Sequence, residues 1–258
     1  MIYDSYDDEP EDQFTELDEE SYTAFYQLEM GQFKEDLAFY EKHLPAKGRV
    51  LELGCGAGRL SQPLIKSGWQ LTGVDLSPSM LKRAGEMSPQ LKTHCMDIRQ
   101  LQLDSFPAII APYNVLNLLT EIEDIKKCLR SVHGHLLAGG VFLAEFAVLR
   151  EESTLFQQGK TFQFQIFDMG DERLVKEIIR HHLPEEGLIE IEERYRLRIR
   201  GGHNSDQRRV FRINALREEE WRQIIGSCGF SVEKVYNNYT LKEADTESGR
   251  VLAVLRPQ

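Results

Sequence analysis

Hydrophobic and polar positions along the 258-residue chain fall into three regimes. Over residues 20–44, Tyr22, Phe25, Tyr26, Met30, Phe33, Leu37, Phe39 and Tyr40 recur mostly at helical spacing. This predicts one or two helices, with a break at Gly31 and an end before Pro45. Over residues 49–146, short apolar runs alternate with helix-period stretches. Residues 50–53, 70–75, 91–97, 107–111 and 141–146 read as strands; 60–66, a segment opening at Ser77-Pro78, and 120–137 read as helices, with Ala138-Gly-Gly140 as a turn. Such alternation predicts a parallel sheet with helices on its faces. Over residues 160–213 the period becomes two. Phe162-Gln-Phe-Gln-Ile166 and residues 189–200 alternate, and Leu183-Pro-Glu-Glu-Gly187 reads as a hairpin turn, so a small antiparallel sheet is predicted after the fifth strand. A helix over 218–228, stopped by Gly229, and strands over 230–236 and 250–255 joined by a polar loop close the pattern. The organisation predicted is an acidic tail over 1–20, a helical lid over 21–45, a core over 46–150 and 214–258, and a β insertion over 151–213.

The formal net charge of −11 is unevenly placed. The first 20 residues hold ten Asp or Glu and no Lys or Arg, leaving 32 acidic and 31 basic side chains in the other 238. A like-charge block of this kind predicts a solvated tail. Overall acidity argues against a phosphate backbone as partner, so nucleic acid is not expected. No apolar run has the length of a membrane span, and Met1-Ile-Tyr-Asp-Ser5 has no signal-peptide pattern. The expectation is a cytoplasmic protein with no membrane partner and room for a homodimer. Cys55, Cys95, Cys128 and Cys228 form no C-x-x-C pair and no zinc-spaced cluster with histidine, so buried reduced thiols and no metal are expected.

The chemistry concentrates in Arg49-Val-Leu-Glu-Leu-Gly-Cys-Gly-Ala-Gly-Arg59. A buried strand carrying an acid, Glu52, runs into three alternate glycines and then a helix. Glycines let the backbone turn tightly and bring its amides close to a ligand. The dinucleotide fingerprint requires glycine at its first, third and sixth positions. Counting from Gly54, the sixth position is Arg59, and glycine stands at the fifth. The run resembles motif I of the class I S-adenosylmethionine-dependent methyltransferases. Asp36-Leu-Ala-Phe-Tyr40, Gly73-Val-Asp-Leu-Ser-Pro-Ser-Met-Leu81, Asp97-Ile98, Ala111-Pro-Tyr-Asn-Val-Leu116 and Leu136-Leu-Ala-Gly-Gly140 extend the likeness. In layout the chain is similar to small-molecule enzymes with an inserted antiparallel sheet, such as sugar N,N-dimethyltransferases.

The resemblance implies an α/β fold: a Rossmann-like seven-stranded sheet, its last strand antiparallel, flanked by helices, with a small antiparallel insertion after the fifth strand. It implies S-adenosyl-L-methionine as cofactor and methyl transfer to a nitrogen or oxygen of a small molecule. Glu52 and the loop amides of Gly54, Cys55, Gly56 and Gly58 would hold the methionine end. Asp75 stands 21 residues after Gly54 and ends the second strand, where a carboxylate can accept from both ribose hydroxyls. Ser77-Pro78 supplies its own helix cap, which leaves Asp75 for the ligand. Leu76, Asp97 and the backbone of Ile98 would meet the adenine, with Met80 packing on its face or in the core. Pro112, Tyr113 and Asn114 leave the fourth strand where cofactor and acceptor should meet. Tyr22 and Tyr26 read as lid residues over the same mouth.

The remaining features leave alternatives open. Arg194, Arg196, Arg198 and Arg200 share one face of an alternating strand. They read as a solvated face paired with glutamates such as Glu190 and Glu192, or else as an anion-binding wall. His94 reads as a core residue, His133 and His135 as structural, and His181-His182 as a surface pair or a base. No residue is singled out as a general base. A protein or tRNA methyltransferase and a non-catalytic S-adenosylmethionine-binding protein are the alternative functions.

Overall fold

The computed structural model describes residues 14–150, 160–239, 241 and 249–258. The chain enters as a short strand, β1 (Thr15–Glu16), followed by helices α1 (Glu19–Met30) and α2 (Leu37–His43). The core then alternates: β2 (Arg49–Leu53), α3 (Ser61–Lys66), β3 (Gln70–Asp75), α4 (Pro78–Met87), β4 (Lys92–Cys95), β5 (Phe106–Ala111), a 3₁₀ turn (Val115–Leu118), α5 (Ile122–Gly134) and β6 (Leu136–Ala147). Four long strands follow, β7 (Lys160–Asp168), β8 (Glu172–Leu183), β9 (Leu188–Ile199) and β10 (Ser205–Asn214). Helix α6 (Glu218–Ser227) and strands β11 (Phe230–Tyr236) and β12 (Arg250–Pro257) return to the core. Among the described residues no helix is long and apolar enough to cross a membrane.

Seven strands form the main sheet in the order β11-β12-β6-β5-β2-β3-β4. β2 to β6 pair in parallel, and β12, last in the chain, runs antiparallel to both its neighbours. Strand order reverses between β2 and β5, so their C-terminal tips flank the crevice where open α/β sheets bind ligands. β2 is buried on both faces because helices cover both: α5 and α6 pack one side, while α2, α3 and α4 pack the other. Trp221 of α6 is fully buried with its ring 4.5 Å from that of Phe146.

The second sheet has the order β1-β10-β9-β8-β7. Its period-two pattern turns Leu174, Lys176 and Ile178 of β8 inward, with Ile189, Ile191, Glu193 and Tyr195 of β9. α1 ties this sheet to the core. Phe25 stacks on Tyr195 (5.1 Å), and Glu29 accepts from Lys176 Nζ (2.6 Å). On the core side, Thr23 donates to Ser79 and Gln27 accepts from Arg83.

Four expectations are revised. The expected tail reached residue 20, yet Thr15–Glu16 pairs in parallel with β10 and Asp18 caps α1 through the Ser21 amide; residues 1–13 lie outside the described residues. The fifth strand begins at Leu136, because Gly139 (φ +73°) and Gly140 form an irregularity within the ladder instead of ending it. A Cβ on Gly140 would lie 2.8 Å from the Leu137 carbonyl oxygen. His94 and Cys95 are exposed, since β4 is an edge strand with little packed over it; Cys55, Cys128 and Cys228 are the buried free thiols. The polar loop before β12 falls largely outside the described residues.

Candidate active site

The glycine loop turns directly off the tip of β2. Gly54, Gly56 and Gly58 all have positive φ (+62°, +50° and +79°). The Cys55 amide donates to the Val74 carbonyl (3.0 Å), which holds the loop against β3. Gly73 makes this possible, because a Cβ there would stand 2.6 Å from the Cys55 sulfur. A Cβ on Gly54 would run into Val115 Cγ2 at 2.3 Å, whereas Gly56 faces open space bounded by Tyr26 and Met80. Gly58 sits over Ala84 and Leu91 and lets the loop pack on α4.

Three carboxylates end the first three strands, and their situations differ. Glu52 is buried and accepts from Ser61 Oγ. Burial raises it to about 7, against the opposing pull of the Ser61 hydroxyl and the Arg59 cation. Asp75 was expected to be free of its own chain. Instead Oδ2 accepts from the Gly56 amide (2.8 Å) and Oδ1 from the Ser77 amide (2.9 Å), so the carboxylate clamps the glycine loop and still faces the crevice. Asp97 is held by Arg99: Nε reaches both carboxylate oxygens at 3.0 Å and Nη2 reaches Oδ2 at 2.6 Å. Those hydrogen bonds keep the Asp97 pKa below the usual carboxylate value.

At the tip of β5 the chain bends sharply. Tyr113 (φ 50°) and Asn114 (φ 60°) are consecutive non-glycine residues in the left-handed region, which costs of order 1–3 kcal/mol each unless the surroundings hold it. Here Glu145, fully buried in β6, accepts from the Tyr113 amide (3.2 Å) and the Tyr239 hydroxyl (2.6 Å) and is ion-paired with Arg250, whose Nε lies 3.1 Å away. Asn114 Oδ1 is buried with no hydrogen-bond partner among the described residues.

These elements bound a cavity of about 420 Å³ between the strand tips, α1 and the second sheet. Of the residues singled out from sequence, Glu52, Gly54, Cys55, Gly56, Asp75 and Met80 line its floor. Pro112, Tyr113 and Asn114 line one side, and Tyr22 and Tyr26 of α1 another. Gly58, Leu76, Asp97 and Ile98 do not line it: Gly58 packs under α4, Leu76 is 66% exposed at the sheet edge, Asp97 is tied to Arg99, and Ile98 packs against the core.

Sequence reasoning passed over two sets of residues. Arg59, the last residue of the glycine motif, lines the cavity and stands over the rings of Phe33 and Tyr113. The roof is basic, but through other strands than the arginine row suggested. Lys176 and Arg180 of β8 and Arg209 of β10 face in. The signal was present: each cation is in phase with apolar neighbours, Leu174 and Ile178 or Phe211 and Ile213. Arg194, Arg196 and Arg198 face out and pair with Glu192, Glu177 and Asp206. His181 and His182 do not line the cavity.

Comparison with known proteins defines the class. Residues 50–140 match a methyltransferase domain family model. The chain is 27% identical over 225 residues to the putative methyltransferase YqeM of Bacillus subtilis, covering 82% of this chain and 85% of that one. In fold it is similar to an S-adenosylmethionine-dependent methyltransferase from Clostridium acetobutylicum (TM-score 0.76, 20% identity, 92% and 97% of the two chains). It is likewise similar to the sugar N-methyltransferase KedS8 from Streptoalloteichus sp. (TM-score 0.76, 18% identity, 92% and 93%). Residues 50–140 are thus a methyltransferase domain, set in a fold shared with S-adenosylmethionine-dependent methyltransferases, whose cofactor is S-adenosyl-L-methionine. The cavity fits that group chemically: the carboxylates of Glu52 and Asp75 on its floor and the rings of Tyr22, Tyr26 and Tyr113 border a space whose ligand carries a sulfonium and an ammonium.

Proposed function

We propose that the protein methylates a nitrogen or oxygen of a small molecule held between the strand tips and the β roof. The observation that carries this reading is Asn114 Oδ1, a buried carbonyl oxygen at the side of the cavity with no partner among the described residues. An orphaned buried acceptor costs about 1–3 kcal/mol, which a donor N–H or O–H on the substrate offsets. The strained bend at Tyr113 and Asn114, held by Glu145, fixes that oxygen in place.

When bound, the cofactor supplies a methyl carbon whose bond to sulfur breaks as the acceptor lone pair attacks. The chain's own residues bind and orient. Glu52 and the Gly54–Gly56 backbone hold the amino-acid end, Asp75 the ribose, and Met80, with Leu76 at the rim, the adenine. The Ile98 side chain packs in the core, which leaves its backbone amide for the adenine edge. Tyr22, Tyr26 and Tyr113 present ring faces to the sulfonium, worth about 0.5–2 kcal/mol each where desolvated. Positioning of this kind lowers barriers by up to roughly 7–11 kcal/mol without a covalent role for the protein. The outward arginine row, the surface that a protein or tRNA acceptor would need, is engaged by carboxylates of its own sheet.

The test is adenosylhomocysteine release with pooled small molecules, using Asp75→Ala as the cofactor-site control. Release should appear with a small-molecule pool and fall by roughly tenfold or more in Asn114→Ala. Release with protein or RNA only, or tight cofactor binding with no release at all, would overturn the reading.

A further inference from the structure

Among the described residues, the roof of the cavity carries one cation that forms no ion pair with a carboxylate. Lys176 Nζ is closed by Glu29 (2.6 Å) and Glu193 (2.8 Å), and Arg209 Nε by Glu193 (2.5 Å), its guanidinium lying 3.7 Å from the Tyr22 ring centroid. Two cations and two carboxylates cancel there. Arg180 lines the same cavity and has no carboxylate partner among the described residues. Nη1 and Nη2 both donate to one neutral oxygen, Gln163 Oε1, and both at 3.3 Å. The fork of a guanidinium therefore rests on a single long amide contact, where a carboxylate would offer two short charge-assisted bonds. Burial pulls the Arg180 pKa below the usual guanidinium value, an unfavourable environment that an anion would relieve.

We infer that Arg180 is the specificity residue that receives a single carboxylate of the methyl acceptor, so that the substrate is an amino or hydroxy acid with one carboxylate. The inference rests on the small-molecule reading above. The charge count selects the anion. A phosphomonoester brings a charge of about −1.5 to −2 at neutral pH. A diphosphate brings more, and the other roof cations that line the cavity among the described residues, Lys176 and Arg209, are already answered by Glu29 and Glu193. The opposite end of the cavity is acidic, with Glu52 and Asp75. A carboxylate on the acceptor is repelled from that end and drawn to the roof, which orients the substrate lengthwise with its donor group towards Asn114.

Two measurements test this. In the adenosylhomocysteine-loaded protein, benzoate should raise the melting temperature while benzamide does not, and Arg180→Gln should abolish the benzoate shift. Equal shifts with both probes, or a benzoate shift retained in Arg180→Gln, overturn the proposal. In turnover, a pool of amino and hydroxy acids should release adenosylhomocysteine, while matched amides, phosphomonoesters and nucleotide sugars should not. For an active acid, Arg180→Gln should raise KM roughly 10- to 100-fold with kcat and cofactor affinity little changed, and Arg180→Lys should recover part of the loss. Turnover confined to amides, phosphates or nucleotide sugars overturns the carboxylate assignment and leaves the small-molecule reading standing. No release from any pool, with cofactor bound, overturns that reading and the assignment with it.

Discussion

The guanidinium of Arg59 and the carboxylate of Asp36 meet in a two-pronged ion pair, at 2.9 and 2.6 Å, with 9% and 0% of their side chains exposed. Asp36 precedes α2 and Arg59 ends the glycine motif, so the pair fastens the N-terminal helices to the cofactor loop. Removing one member of a buried pair strands the other charge and costs roughly 3–5 kcal/mol, whereas replacing both with apolar groups is often near neutral. Asp36→Asn should therefore lower unfolding free energy by about that amount. The double variant Asp36→Leu/Arg59→Met should recover most of it. Denaturant unfolding of the wild type and the two variants checks this, and a double variant no more stable than Asp36→Asn would show that the pair is not the fastening.

Glu52 gives the protein a pH dependence of known sign. Its neighbours are Ser61, which donates to it, the Arg59 cation, and the carboxylates of Asp36 and Asp75. Burial raises it from the ordinary 4.5 to about 7 in the folded state. Between those values the folded protein holds a proton that the unfolded chain has released. Its contribution to stability is thus fully present below about 4.5 and is lost as pH rises through about 7. Melting curves should show this decline in the wild type and a flatter profile in Glu52→Gln. A cationic cofactor favours the ionised carboxylate, so binding near pH ~6.5 should release a proton, seen as a dependence of calorimetric heat on buffer ionisation enthalpy. Identical heats across buffers would remove Glu52 from the cofactor's surroundings.

The central strands could be read from sequence because a parallel sheet buried on both faces leaves continuous apolar runs, and Val50-Leu-Glu-Leu53 interrupted only by Glu52 is one of them. The glycine loop and Asp75 were equally legible, since their spacing is short and local. What escaped depended on where individual side chains turn and what they meet. Asp75 was read as free, but its oxygens answer amides 19 residues before and two after it. Asp97 looked like a ligand residue until Arg99 is seen folded back on it. The basic roof was missed because the most regular alternation, at residues 194–200, drew attention to the outward face. The inward cations sit where the alternation is broken by adjacent apolar pairs such as Ile178-Ile179.

Two glycines of the loop should fail in different ways. At Gly54 (φ +62°) an added Cβ meets Val115 Cγ2 at 2.3 Å, so Gly54→Ala must displace the 3₁₀ turn beneath the site. At Gly56 (φ +50°) the nearest atoms are Tyr26 Cε1 at 3.9 Å and Met80 Sδ at 4.0 Å, and the new methyl projects into the cavity. Both carry backbone strain of about 1–2 kcal/mol. Gly54→Ala should lower the melting temperature markedly. Gly56→Ala should fold nearly as well as the wild type but bind adenosylhomocysteine at least several-fold more weakly. Calorimetry and thermal melts on both separate the cases, and equal loss of stability would mean that the loop packs as one unit.

Asp75 and Asp97 end neighbouring strands, and a ligand bound at both would lose comparable affinity on replacement of either. The structure sets them apart. Asp75 lines the cavity and clamps the Gly56 amide, so Asp75→Ala loses a ligand contact and loosens the loop together. Both Asp97 oxygens are held by Arg99, which is itself shared with Asp124. Removing that partly exposed carboxylate leaves Arg99 with its second partner. Asp75→Ala should weaken adenosylhomocysteine binding by roughly 100-fold or more, since a charge-assisted contact and a positioning hydrogen bond go together. Asp97→Ala should cost about threefold or less, with the difference from wild type shrinking further in salt as the surface pair is screened. A loss in Asp97→Ala approaching that of Asp75→Ala would show that Arg99 yields its carboxylate to the adenine when the cofactor binds.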